Sequence, residues 1–135
     1  MKKLNCVLLV DDDEPTNFLN EMLISQLDCT RSIVAVQSGR EALDYLCTEK
    51  EGQYPQPDLI LLDINMPGMN GWEFLDKYNE LDASKKGQVI IMMLTTSLNP
   101  DDEAKAQGIN EIKSFLKKPL TKEDFLAILS EYFPD

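Results

Sequence analysis

Four clusters along the chain carry side chains able to do chemistry: Asp11-Asp12-Asp13, Asp63, Thr95-Thr96-Ser97 and Lys117-Lys118-Pro119. The absence of histidine removes Ser-His-Asp and Cys-His catalysis, together with the commonest metal ligand. What remains is carboxylate, hydroxyl and amine. Carboxylates gathered without a counter-charge repel one another and raise each other's pKa, and a divalent cation relieves that. Hard oxygen donors point to Mg²⁺, with Mn²⁺ as its substitute, in a site that keeps several waters and admits a phosphate oxygen. Metal and lysine would neutralise the equatorial oxygens of a transferring phosphoryl group, and a threonine hydroxyl would donate to one of them. A carboxylate attacking in line would give an aspartyl phosphate.

Each cluster alone has a plainer reading. Asp11–Glu14 before Pro15 is a favourable acidic helix start, a role that suits Asp13 in particular. Thr95 would serve as a β-branched strand end and Lys118 as a solvated cation. Lys117 rivals Lys118 on composition, but adjacency to Pro119 and alternation along a strand favour Lys118. The elements that must position these residues bear on the choice. Short apolar runs at Cys6–Val10, Ile33–Val36, Leu59–Leu62, Val89–Leu94 and Ile112–Leu116 have strand length and are rich in Val, Ile or Leu, as buried parallel strands are.

Between the runs, apolar residues recur at helical spacing: Phe18, Leu19, Met22, Leu23 and Leu27, then Leu43, Leu46 and Cys47, then Trp72, Leu75 and Tyr78, and finally Phe125, Leu129, Tyr132 and Phe133. Ser38-Gly-Arg-Glu41 and Thr121-Lys-Glu-Asp124 carry capping-box patterns. Asn99-Pro100 offers an N-cap with proline at the first helical position, and Gly108 stops that helix. The helix from Pro100 to Gln107 has only Ala104 and Ala106 as apolar residues and is expected to dock weakly. Gln37-Ser38 adds no reactive group, which puts the second strand on the outer side of the first. Glu49–Pro57 and Asp82–Gln88 read as surface loops, and Pro67, Gly68 and Gly71 as turn geometry leading from Asp63 to the next helix. Strict alternation makes five βα units, an α/β doubly wound parallel sheet with helices on both faces. In such a sheet the functional crevice lies beyond the carboxyl ends of the strands, where the four clusters fall.

The 135 residues suit one domain, here residues 4–133, and 43% hydrophobic residues supply a core. The longest apolar run, Val89–Leu94, is far below the roughly 20 residues of a spanning helix, so a soluble protein with no membrane contact is expected. With 13 basic and 24 acidic side chains the net charge is −11, which argues against direct nucleic-acid binding. Cys6, Cys29 and Cys47 form no CxxC and read as reduced, buried packing residues of a cytoplasmic protein.

Val7-Leu-Leu-Val-Asp-Asp-Asp13, Leu61-Leu-Asp-Ile-Asn-Met-Pro-Gly-Met-Asn-Gly71, Met93-Leu-Thr-Thr-Ser97 and Leu116-Lys-Lys-Pro-Leu120, taken in that order, resemble the four signature blocks of bacterial response-regulator receiver domains. The resemblance covers nearly the whole chain and points to a single-domain, chemotaxis-regulator-like member. It implies the flavodoxin-like strand order 2-1-3-4-5. It makes Asp63 the phosphoacceptor, and it makes Asp12, Asp11, Asp63 and the backbone carbonyl of Asn65 the holders of Mg²⁺, Asp11 through water. Thr95 would bond a phosphoryl oxygen and Lys118 would pair with the phosphate. The Lys118–Pro119 peptide would be cis, and Phe115 would occupy the switch-aromatic position. Thr96 is bulkier than the Ala or Gly often found there, which implies hindered water access and slower dephosphorylation.

The implied activity is that of a stand-alone receiver. A sensor histidine kinase or phosphotransfer protein donates a phosphoryl group to Asp63, the chain catalyses only its own phosphotransfer and dephosphorylation, and the output is a change in affinity for a downstream protein. Dimerisation through the last helices stays open. One rival is a haloacid-dehalogenase-like phosphatase. That family has its nucleophile on the first core strand and an aspartate two residues later, whereas here Asp63 ends the third run and Asn65 stands at that second position. The other rival is a receiver-shaped interaction module that works without phosphorylation.

Overall fold

A computed structural model describes residues 3–86, 89–96, 99–109 and 112–134. Ser97, which the sequence groups with Thr95 and Thr96, and the end of the 82–88 connection lie outside the described residues. The elements are β1 (Leu4–Val10), α1 (Glu14–Gln26), β2 (Thr30–Val36), α2 (Gly39–Cys47), β3 (Leu59–Asp63), α3 (Gly71–Asn79), α4 (Ala83–Lys86), β4 (Ile90–Thr95), α5 (Pro100–Gln107), β5 (Ile112–Lys117) and α6 (Lys122–Tyr132). The strands form one parallel sheet in the order β2-β1-β3-β4-β5. The order and the doubly wound architecture agree with the sequence reading. The connection 82–88 differs from it, because residues Ala83–Lys86 form a short helical turn.

Strand identity follows from burial on both faces. The three central strands are almost wholly buried, while the edge strand β2 is half exposed, which is why β1, β3 and β4 are unbroken apolar runs. Alternation divides them between two cores. Leu8, Val10, Ile60, Leu62 and Met93 pack with Ala42, Leu46, Phe74 and Tyr78 from α2 and α3. Val7, Leu9, Leu59, Leu61 and Met92 pack on the opposite face with Ile24 of α1 and Phe125, Ile128 and Leu129 of α6. Side-chain caps set the helix starts: Asp13 accepts from the Thr16 N–H, Ser38 from Glu41, Asn70 from Glu73, Asn99 from Asp101 and Thr121 from Asp124. Asn70–Glu73 and Thr121–Asp124 are reciprocal capping boxes.

Helix α1 departs in part from the sequence reading: Leu23 and Leu27 pack against the core as expected, but the rest of the apolar stripe does not. Phe18, Leu19 and Met22 are 61%, 63% and 44% exposed, whereas Asn17, Asn20 and Ile24 are buried. Cys47, expected in the interior, is exposed at the end of α2, while Cys6 and Cys29 are buried. Helix α5 buries only Ala106. A polar bridge also holds it: the Trp72 Nε1–H of α3 donates to Asp102 Oδ1 at 3.2 Å, and Lys105 Nζ lies 4.8 Å from the indole centroid.

Candidate functional site

The strand ends meet as the sheet dictates. Asp11 follows β1, Asp63 ends β3, Thr95 ends β4 and Lys118 follows β5, so the sheet order puts all four at one carboxyl edge. The Lys118 N–H donates to the Thr95 carbonyl at 2.6 Å, which fastens the last two of these together. Carboxylate oxygens of Asp11, Asp12 and Asp63 all lie within 4.8 Å of one another. Lys118 Nζ is 2.6 Å from Asp11 Oδ2 and 3.2 Å from Asp63 Oδ1. Asp11, Asp63 and Thr95 are buried; Asp12 is exposed. These acids border a cleft of about 290 Å³ that is also lined by Asp13, Thr16, Asn65, Thr96 and Lys118. Lys117, the rival of Lys118, is exposed and pairs with Thr95 in the strand ladder.

Burial and geometry set the charges here. Burial first, and then the charge of Asp11, push the Asp63 carboxyl up to about 6, with Lys118 pulling the other way. Burial pushes the Lys118 ammonium down, but its hydrogen bond to Asp11, the Asp11 charge and contact with Asp63 outweigh that and leave it raised. One lysine against three convergent carboxylates leaves the cluster negative. That donor set, all hard oxygen and open to solvent on the Asp12 side, fits a divalent cation of the Mg²⁺ or Mn²⁺ type.

The turn after β3 brings the chain away from Asp63. Gly68 has φ +79°, the left-handed region open to glycine. The Gly71 N–H donates to the Ile64 carbonyl at 2.8 Å, and a Cβ on Gly71 would lie 2.8 Å from the Asp63 carbonyl oxygen. Helix α3 therefore starts in contact with the backbone of Asp63. One candidate sits elsewhere. Phe115 is half-buried in a separate cleft of about 230 Å³ between α5 and β5, beside Glu103, Ala106 and Ile112. Pro119 follows Lys118 through a cis peptide bond.

Sequence reasoning missed Asn17 and Thr16. Thr16 borders the acidic cleft, and its hydroxyl donates to Asp13. The Asn17 amide nitrogen donates to the Asp11 carbonyl at 2.9 Å and the Val36 carbonyl at 3.1 Å. Nothing in the sequence marked Asn17, which lies off the stripe of Phe18, Leu19, Met22, Leu23 and Leu27 that helical spacing selects.

Comparison with known proteins adds independent findings. Residues 7–130 match the family described as "Response regulator receiver domain". The probable methanogenesis regulatory protein FilR2 of Methanothrix harundinacea is 32% identical over 125 residues, covering 93% of this chain and 79% of that protein. Among solved structures, a two component response regulator from Cytophaga hutchinsonii superposes with TM-score 0.84 at 33% identity, covering 99% of this chain and 100% of that one. The Mn(2+)-bound form of response regulator Rcp1 superposes with TM-score 0.74 at 26% identity, covering 95% and 94%.

Proposed function

This chain belongs to the response regulator receiver domain family, and on that premise we propose that it accepts a phosphoryl group on Asp63 from a phosphohistidine donor and signals through altered affinity for another protein. Receiver domains are signalling proteins of two-component systems rather than metabolic enzymes. They bind a divalent metal at an acidic pocket and interact with histidine kinases or phosphotransfer proteins. The observation that carries the reading for this chain is the convergence of Asp11, Asp12 and Asp63 with Lys118 Nζ between two of them.

In this reading residues 4–133 act as one receiver unit. Asp12, Asp63 and the Asn65 carbonyl, with Asp11 through water, would hold Mg²⁺, which when bound would neutralise charge on the phosphoryl oxygens. An Asp63 carboxylate oxygen forms the new O–P bond while the N–P bond to the donor imidazole breaks, and the imidazole nitrogen keeps the electron pair. Lys118 stays protonated and pairs with a phosphoryl oxygen, and the Thr95 hydroxyl donates to another. Hydrolysis reverses the state: water attacks phosphorus, the O–P bond to Asp63 breaks, inorganic phosphate leaves and a proton goes to solvent. Thr96, exposed at the cleft, narrows the path of that water. The added charge of roughly −1.5 to −2 draws Thr95 and Lys118 toward the phosphate and shifts the surface around Phe115, α5 and α6.

The test is incubation with acetyl phosphate and Mg²⁺ followed by intact-mass measurement. Wild type gains one phosphoryl group and Asp63→Asn gains none. Wild type that stays unmodified with both acetyl phosphate and a phosphohistidine donor, or an equal gain by Asp63→Asn, overturns the assignment.

A further inference from the structure

Asn17 touches the acidic segment at two points. Its side chain, 5% exposed, donates through Nδ2 to the Asp11 carbonyl at 2.9 Å and the Val36 carbonyl at 3.1 Å. Its backbone N–H donates to the Asp13 carbonyl at 3.1 Å. Between those contacts the segment is closed on itself by the Asp13 N–H, which donates to Asp11 Oδ1 at 2.9 Å. Asp11 also keeps its own N–H on the Val36 carbonyl at 3.2 Å. Both carbonyls flanking Asp12 in this three-residue stretch are thus held on α1, which leaves the Asp11 and Asp12 carboxylates on the Asp63 side.

The folding of α1 alone does not call for an amide here. Asn17 Oδ1 is buried without a hydrogen-bond partner among the described residues, and Phe18, Leu19 and Met22 on the same helix face solvent. An interior chosen for apolar burial would reverse that arrangement. What calls for an amide inside is the Asp11 carbonyl, which needs a donor at the strand end; the Val36 carbonyl, already bonded to the Asp11 N–H, takes the second amide proton.

We propose that Asn17 is a positioning residue of the acidic site. By tying the Asp11 carbonyl to the end of β2 at the Val36 carbonyl, its side-chain amide holds the Asp11 and Asp12 carboxylates at the spacing a divalent cation requires, and so sets the cation's affinity. The inference rests on the divalent-metal reading above. Partners that orient metal ligands typically change affinity about 10–100-fold when removed. The alternative is a purely structural role, in which Asn17 serves the fold and leaves the cation indifferent.

The experiment is Mn²⁺ titration of the full, unphosphorylated chain, with free Mn²⁺ read by electron paramagnetic resonance and Mg²⁺ as competitor. It is paired with urea unfolding in metal-free buffer. Wild type, Asn17→Ala, Asp12→Asn and Asn20→Ala are compared, Asn20 being another buried asparagine of α1. Asn17→Ala raises the Mn²⁺ Kd about tenfold, whereas Asn20→Ala stays within about twofold of wild type whatever its loss of stability. Where Asn17→Ala does not fold, Asn17→Ser keeps one donor and raises the Kd about threefold. An Asn17 variant that binds like wild type, or an Asn20→Ala that weakens binding as much as Asn17→Ala, overturns the proposal while Asp12→Asn still loses affinity. Wild type that fails to bind Mn²⁺, or Asp12→Asn that binds normally, overturns the metal reading and the proposal with it.

Discussion

Asp63 is kept in a state its own solvation opposes. Its carboxyl, pushed up to about 6 by burial and by Asp11, takes a proton in the folded chain at a pH where the unfolded chain gives it up. Between about pH 4 and pH 6 the native state therefore binds more protons at this position, and stability from this group rises as pH falls and is lost as pH rises through 6. Metal-free Asp63→Asn should accordingly be more stable than metal-free wild type at neutral pH, by about 1–3 kcal/mol, with the two converging near about pH 4. Urea unfolding of both proteins in chelator across that pH range measures it. Thr96 bears on the rate of return instead: Thr96→Ala, by opening the cleft, should speed loss of the phosphoryl group several-fold in a dephosphorylation time course. An unchanged lifetime would remove Thr96 from the water path.

The elements place these residues through contacts of different legibility. β1, β3 and β4 are readable as apolar runs because both of their faces are covered, and the reactive groups are readable because they stand just where those runs end. The starts of α2, α5 and α6 are readable from Ser38, Asn99 and Thr121, since a cap is a local bond. The outward face of α1 is not. Spacing marks Phe18, Leu19, Met22, Leu23 and Leu27 as one stripe, but only Leu23 and Leu27 of it pack against the core, and Asn17 turns inward to the carbonyls of Asp11 and Val36, which it meets across the fold. Cys47 shares the helical spacing of Leu43 and Leu46 but, as the last residue of α2, is exposed. The start of α3 is set by close approach: Gly71→Ala puts a methyl 2.8 Å from the Asp63 carbonyl and 3.0 Å from Ile64 Cα. That backbone cannot give way cheaply, so the variant should lose about 1–3 kcal/mol by thermal unfolding. It should also accept phosphate more slowly.

As a whole the molecule carries a net charge of −11, and self-repulsion is part of its energy balance. Raising NaCl from about 20 to about 200 mM should raise the melting temperature of the metal-free protein by a few degrees, through screening over a Debye length of about 8–20 Å. Millimolar Mg²⁺ should raise it at far lower ionic strength, because binding to the folded state adds about 2.7 kcal/mol at a hundred times the dissociation constant. No helix among the described residues is long and apolar enough to cross a membrane.

The chain has one tryptophan, and its indole spans the joint between α3 and α5, hydrogen-bonded to Asp102 beneath the Lys105 ammonium. Emission from a single fluorophore that holds a carboxylate and an ammonium of a lightly anchored helix is an optical gauge of where that helix rests. Spectroscopy can follow the helix in solution without attaching a dye.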